Sequence, residues 1–269
     1  MKQPKDAGCG TCPAHNVANL TKLGVNMQDV DFVVALAGNP NTGKTTVFNA
    51  LTGLRQHTGN WPGKTVTRAE GAYSYGENKY KIVDLPGTYS LLSASADEEI
   101  ARNFILFGQP DVTVVVVDST RLERNLNLVL QVLEITDRAV VCLNLSDEAR
   151  RHGVKVDDRI LAKELGVPVV PTSARNSSGL PELLKAIHEV TTGLFVCKPR
   201  RLKNHPTNLE KAVSRLAEML HTRFPDLTNA RWVALRLLEG DPQIADAITS
   251  GDLGTITTRR QLVAVEVVQ

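Results

Sequence analysis

Eight consecutive residues, Gly38-Asn39-Pro40-Asn41-Thr42-Gly43-Lys44-Thr45, have the types and spacing that hold phosphate. The glycines let successive backbone N–H groups turn toward the α- and β-phosphates of a nucleotide. Lys44 reaches the β- and γ-phosphates as a catalytic cation. The Thr45 hydroxyl ligates Mg²⁺, with Thr46 beside it at the start of a helix. An apolar run, Phe32–Ala37, leads in as a strand, and Lys44–Leu51 leads out as a helix whose N-terminal dipole faces the anion. A glycine turn that binds nothing would not need the strand, the Lys-Thr pair and the helix together.

Asn144-Leu145-Ser146-Asp147 follows the apolar strand Ala139–Leu143 and has the N-x-x-D spacing of a guanine reader. A carboxylate at Asp147 can accept from N1–H and from the exocyclic amine of guanine. Adenine lacks that donor pair, so it would leave a buried charge unpaired. Leu145 stands where lysine is commoner and could cover the base by apolar contact without charge. Alone, this spacing is weak; its place one strand–helix unit after the phosphate loop gives it force. Asp84-Leu85-Pro86-Gly87 ends the strand Lys79–Val83. Asp84 would hold Mg²⁺ through water, and the Gly87 N–H would sense the γ-phosphate. Thr172-Ser173-Ala174 follows Pro168–Val170, with the backbone of Ser173 and Ala174 placed to meet the guanine oxygen.

These motifs need a scaffold that delivers each of them to the carboxyl end of a strand. Residues 31 to 193 alternate strand and helix patterns, which predicts a parallel sheet with helices on both faces. The expected fold is a six-stranded, mostly parallel P-loop GTPase sheet of Ras-like type, with strands Phe32–Ala37, Arg68–Tyr75, Lys79–Val83, Thr113–Val117, Ala139–Leu143 and Pro168–Val170. Gly76-Glu77-Asn78 reads as a hairpin turn and makes one edge strand antiparallel. Expected helices are Lys44–Leu51, Asp97–Phe107, Asn125–Glu134, one or two short ones within Asp147–Leu165, and Gly179–Thr191. Beyond Thr207 the apolar spacing of Leu209, Val213, Leu216 and Leu220, and of Val233, Leu237 and Leu238, predicts a small all-α domain. The organisation is thus a flexible segment over 1–29, a G domain over 30–195, a basic linker over 196–206 and a helical domain over 207–269.

The 269 residues carry a net charge near +2, which argues against nucleic acid as a partner. No apolar run reaches membrane-spanning length, so a soluble chain is expected. Cys9 and Cys12 with His15 could bind metal, but a closed zinc site needs four ligands. Cys142 and Cys197 do not form a second pair, and the reading favours a solvent-exposed segment.

Three longer stretches narrow the assignment: Gly59-Asn60-Trp61-Pro62-Gly63-Lys64-Thr65-Val66-Thr67, Asp84-Leu85-Pro86-Gly87-Thr88-Tyr89-Ser90-Leu91 and Asp118-Ser119-Thr120-Arg121-Leu122-Glu123-Arg124-Asn125-Leu126. Together they make residues 30 to 193 resemble the N-terminal cytoplasmic domain of the bacterial ferrous iron transport protein B (FeoB) family. The tail fits that family's appended helical domain. The resemblance implies a GTP-hydrolysing switch that regulates Fe²⁺ uptake through a membrane-spanning domain of the same polypeptide, at the cytoplasmic face of the inner membrane. A homo-oligomer is compatible with it. It also implies roles for residues. Thr65 matches the threonine that closes over Mg²⁺ and the γ-phosphate. Gln56 to Lys64, with Gly63 and Lys64 beside the nucleotide, matches switch I, and Leu85 to Leu91 matches switch II. Asn41 matches the asparagine that ligates K⁺ in potassium-activated relatives, and Mg²⁺ falls to Thr45, Thr65 and Asp84. Thr88 stands where many GTPases carry a water-orienting glutamine, so slow, K⁺-stimulated hydrolysis is expected, with K⁺ supplying charge against the transition state. Trp61 reads either as packing or as a gate. The alternative is a free-standing potassium-activated GTPase of ribosome or tRNA maturation, but the tail lacks the basic, aromatic surface such a protein would carry.

Overall fold

The computed structural model describes residues 20–21, 23–53, 56–62, 64–92, 95–201, 206–225, 227 and 229–249. Leu20–Arg201 forms one compact unit, and the helices from Thr207 to Thr249 belong to a second. In the first unit the chain runs β1 (Phe32–Gly38), α1 (Lys44–Thr52), β2 (Gln56–Asn60), β3 (Thr67–Tyr75), β4 (Asn78–Asp84), α2 (Ala96–Asn103), β5 (Val112–Asp118), α3 (Leu122–Ile135), β6 (Ala139–Asn144), α4 (Ser146–Arg151), α5 (Asp158–Leu165), β7 (Val169–Pro171) and α6 (Leu180–Thr191).

These strands make one seven-stranded sheet in the order β2-β3-β4-β1-β5-β6-β7. The pairs β2/β3 and β3/β4 are antiparallel and the others parallel. Strands β1, β5 and β6 are apolar runs because helices cover both of their faces. On one face Val34, Leu36, Val114, Val116, Val140 and Cys142 meet Val47, Phe48 and Leu51 of α1 and Leu183, Ile187 and Val190 of α6. On the other face α3 lies over β5 and β6, with Leu128, Val129, Val132 and Leu133 fully buried.

Register decides where the chemistry gathers. Leu36 pairs with Asp84, Gly38 with Val116, and Asp118 with Asn144. The carboxyl ends of β4, β1, β5 and β6 therefore finish at one level. That is the crevice where an open α/β sheet receives a ligand.

The sheet has seven strands rather than the expected six. The added strand, β2, occupies Gln56–Asn60, the stretch read as the switch I loop. It pairs backbone to backbone with β3 from Gln56↔Gly71 to Asn60↔Thr67. Its side chains from His57 to Asn60 are exposed, so no apolar alternation marks it. The expected helix Asp97–Phe107 is α-helical only to Asn103 and continues as a π-turn over Phe104–Gly108. Ser95 caps it by accepting from the Glu98 N–H.

Packing continues across two of the expected boundaries. Leu20 and Val25 are buried, and a Cβ on Gly108 would meet Leu23 at 3.0 Å, so the packed unit already includes residues before the boundary expected at residue 30. At the other end, Lys198 N–H donates to the Gly166 carbonyl (2.8 Å) and Arg200 N–H to Leu165 (3.1 Å). The start of the presumed linker is thus tied to the first unit. Cys9, Cys12 and His15 lie outside the described residues.

The second unit contains α7 (Thr207–Arg223), α8 (Ala230–Leu238) and α9 (Pro242–Thr249), so the expected all-α character holds. Val213, Leu220, Trp232, Val233 and Ile244 are among its buried apolar residues. Arg231 grips Glu210 through two nitrogens, at 2.6 and 3.0 Å. Among the described residues no helix is long and apolar enough to cross a membrane.

Candidate functional site

The phosphate loop joins β1 to α1 with two residues in the left-handed region, Asn41 (φ 66°) and Gly43 (φ 80°). Asparagine tolerates that region better than other non-glycine residues. The alternation curls the chain so that successive N–H groups face one concavity. Gly43 is required for a second reason: a Cβ there would lie 2.5 Å from the Asn144 amide nitrogen. At Gly38 a Cβ would sit 2.7 Å from the Val116 carbonyl oxygen. The Thr42 hydroxyl donates to the Asn39 carbonyl (2.9 Å) and braces the loop from inside. Asn39 is buried, and neither atom of its amide has a partner among the described residues.

Asn144 ties the motifs together. Its amide nitrogen donates to the Thr42 carbonyl at 2.9 Å, and its amide oxygen accepts from the Ala174 N–H at 3.1 Å. One buried side chain thus spans the phosphate loop, the end of β6 and the loop after β7. The Ser119 hydroxyl also donates to the Asn144 carbonyl, fixing the end of β5 to the same point.

Lys44 and Asp84 form an ion pair at the bottom of the loop, both mostly buried. Burial pushes the Asp84 carboxyl up from its ordinary range, and the facing Lys44 ammonium pulls it the other way. The carboxylate is therefore poised to favour a cation beside it. Leu85 N–H donates to the Leu36 carbonyl (3.0 Å) and Thr88 N–H to Gly38 (3.2 Å), so the Asp84–Thr88 segment runs along the phosphate loop. A Cβ on Gly87 would touch Pro40 at 3.6 Å. Pro86 is half-buried in this segment. The Thr88 hydroxyl is consumed locally: it accepts from Ser90 N–H (2.9 Å) and donates to the Ser90 carbonyl.

Asp147 opens α4 behind Leu145, whose φ of 59° is left-handed. For a leucine that conformation costs about 1–2 kcal/mol. Strain of this kind is tolerated where a site demands it. The Asp147 carboxyl is held below the usual range, first by the Ser173 hydroxyl; desolvation opposes this, and backbone N–H groups and the Arg151 guanidinium add to the lowering. Arg151 and Asn176 each reach its Oδ2 at 3.1 Å. The group is thus an ionised double acceptor at neutral pH.

Thr45 and Thr46 lie on the first turn of α1. Lys64 and Thr65 are exposed in the turn after β2, and Gly63 lies outside the described residues. Trp61, which the sequence leaves between two roles, is buried. The structure adds residues that no local pattern reveals. Gln131 of α3 accepts from Leu91 N–H (2.6 Å) and from the Ser90 hydroxyl (3.2 Å), anchoring the Leu85–Leu91 segment. Glu99 of α2 pairs with Lys64 (3.0 Å). Both sit on helix faces that the apolar pattern marks only as polar.

Residues 32–187 match the family model described as ferrous iron transport protein B, and residues 205–265 match that of the FeoB cytosolic helical domain. The Fe(2+) transporter FeoB of Escherichia coli strain K12 is 41% identical over 212 residues, which cover 77% of this chain and 27% of the relative. The chain therefore spans about a quarter of the length of such relatives. The cytosolic domain of T. maritima FeoB, solved in a GDP form, superposes with a TM-score of 0.74 at 37% identity, covering 84% of this chain and 86% of that one. The cytosolic domain of L. pneumophila FeoB gives 0.72 at 36% identity, covering 83% of this chain and 88% of that one.

Proposed function

The chain belongs to the ferrous iron transport protein B family, and from that premise we propose that its first unit binds GTP and GDP and hydrolyses GTP slowly. The observation that carries the reading is Asn144, which holds the phosphate loop and the guanine-reading loop in one site. The solved relatives in GDP and GMPPNP forms support it. In this reading the domain is a nucleotide switch for Fe²⁺ uptake, coupled at the cytoplasmic face of the inner membrane to a membrane-spanning transport domain. The free-standing ribosomal or tRNA GTPase is set aside, because both units match FeoB models.

The residues fit Mg²⁺. Thr45, Asp84 and, on closure of its turn, Thr65 offer hard oxygens with one carboxylate, the set that Mg²⁺ takes alongside phosphate oxygens. Asn41, exposed at the lip of the loop, offers an amide oxygen suited to K⁺. Bound there, the two cations would neutralise charge that develops on the transferring phosphoryl group. Around them Lys44 holds the β- and γ-phosphates, the Gly87 N–H meets the γ-phosphate, and Asp147 orients the base. Leu145 covers the base by apolar contact. Lys64, on the switch I turn, keeps that turn against α2 through Glu99.

Calorimetry tests the assignment. GDP and GTP should bind with Mg²⁺ while ATP binds at least about a hundredfold more weakly, the discrimination expected where a wrong base cannot make the hydrogen bonds that the site offers. Comparable affinities for ATP and GTP would overturn it.

The Thr88 hydroxyl is spent on Ser90, so it does not orient the attacking water. Thr88→Ala should therefore leave kcat within about twofold of the native rate, whereas loss of a water-positioning group costs far more. A drop of about a hundredfold would show that this hydroxyl turns toward the water during catalysis.

A further inference from the structure

Trp61 lies between two strands in a polar stretch, yet it is only 4% exposed. Its ring packs edge-on against Phe104, the first residue of the π-turn after α2, with centroids 5.5 Å apart and planes at 77°. The indole N–H has no hydrogen-bond partner among the described residues, so ring contacts rather than a polar anchor hold it. The Arg68 guanidinium lies over the ring, 5.4 Å from the centroid.

All three guanidinium nitrogens of Arg68 are engaged. Nη1 donates to the Leu23 carbonyl and Nη2 to the Gly24 carbonyl, each at 2.8 Å. Nε pairs with Glu70 at 2.9 Å. This is the planar fork that only arginine offers, used here on two consecutive carbonyls. Gly24 has φ +85°, and a Cβ there would stand 2.5 Å from Arg68 Nη1 and 3.2 Å from Pro62. The segment before β1 thus presses on both the arginine and the loop that follows Trp61.

That loop carries Thr65. The Trp61 backbone closes it from both sides: its N–H donates to the Val66 carbonyl and its carbonyl accepts from Lys64 N–H, each at 3.0 Å. Trp61 and Val66 thus tether Thr65 from both sides. Ordering a short tethered arc costs less conformational entropy than ordering a free loop.

We propose that Arg68 is a positioning residue for switch I: it fixes Trp61, and through Trp61 the turn that delivers Thr65, and it makes that turn answer to Leu23 and Gly24. The inference rests on Thr65 as the residue that reads the γ-phosphate.

The test compares affinity for a non-hydrolysable GTP analogue with affinity for GDP. Arg68→Ala should weaken the analogue about tenfold, the loss expected on removing a charge-assisted contact. GDP, which does not engage Thr65, should stay within about twofold, a split that general destabilisation would not produce. Arg68→Lys keeps a cation over the indole but cannot fork to both carbonyls, and should recover part of the loss. Gly24→Ala should reproduce the Arg68→Ala split. In a Trp61→Leu background, Arg68→Ala should add little, because the two act as one unit. An equal loss for both nucleotides, no loss, or a gain for the analogue overturns the proposal, as does full additivity with Trp61→Leu. Thr65→Ala measured alongside separates two failures. If Thr65→Ala loses the analogue and Arg68→Ala does not, only the positioning role falls. If neither changes it, the Thr65 reading falls as well.

Discussion

Asp147→Asn should weaken GTP and GDP binding by about two to three orders of magnitude, and xanthosine nucleotides should recover most of the loss. The native carboxylate is kept ionised by Ser173, by backbone N–H groups and by Arg151. It can therefore accept from N1–H and the exocyclic amine of guanine at once. Hydrogen bonds to a charged group contribute about 1.5–3 kcal/mol each, and a donor left unpaired adds its own desolvation cost. Losing one such bond and turning an amide N–H toward the guanine amine costs on the order of 3–4 kcal/mol, which converts to the stated range. Xanthine replaces that amine with an oxygen. The amide introduced by the substitution can then donate to the oxygen and accept from N1–H, restoring both contacts. Calorimetry with GDP and xanthosine diphosphate on the native and Asp147→Asn proteins measures it. A loss under about threefold with guanine, or no recovery with xanthine, would place the base elsewhere. The exposed Arg151 pair is not the cause of such a change, since exposed ion pairs are worth little.

GTP hydrolysis should run about tenfold faster or more in KCl than in NaCl at equal ionic strength, and replacing Asn41 should abolish that difference. An added positive charge at the transferring phosphoryl group can be worth much more than this, so tenfold is a low threshold. The choice of variant follows from the backbone. Asn41 sits at φ 66°, where leucine or alanine would add strain of about 1–2 kcal/mol. Glycine adopts that conformation freely, so Asn41→Gly removes the amide oxygen and leaves the loop its shape. Lys44 and Asp84 remain in contact beneath it. GDP affinity should therefore hold while potassium stimulation disappears, because the ion acts on the transition state more than on the ground state. Equal native rates in the two salts would refute the cation role. Stimulation that survives in Asn41→Gly would move the ion to other ligands.

Much of the site could be read from the chain because its chemistry is local. A turn that aims N–H groups at phosphate needs glycines at set positions, and the lysine and threonine must follow within one helical turn. Asp84, Asn144 and Ala174 are each placed by the strand before them, and apolar runs such as Phe32–Ala37 announce those strands. The parallel order also follows from alternating strands and helices. Local chemistry did not reveal β2. Its polar sequence carries no alternation, and only the edge of β3 makes it a strand. The same holds for the segment before β1, where Leu20 and Val25 are buried and Leu20 and Leu23 come close to Gly108, far along the chain.

The sequence alone singled out the groups proposed to meet phosphate and base, since their spacing is a property of one turn at a time. Tertiary structure decided what those groups are tied to. Asn144 has the right type for its motif, but its bridge from Thr42 to Ala174 exists only because β1, β6 and β7 end at one level. Thr88 could have faced the γ-phosphate until the fold closed its hydroxyl onto Ser90 and held the segment with Gln131. Trp61 could have been a gate or a core residue, and Phe104, far along the chain, settles its burial. Each of these depends on contacts that the fold assembles, most of them between residues distant in sequence, and no propensity or periodicity encodes a distance through space.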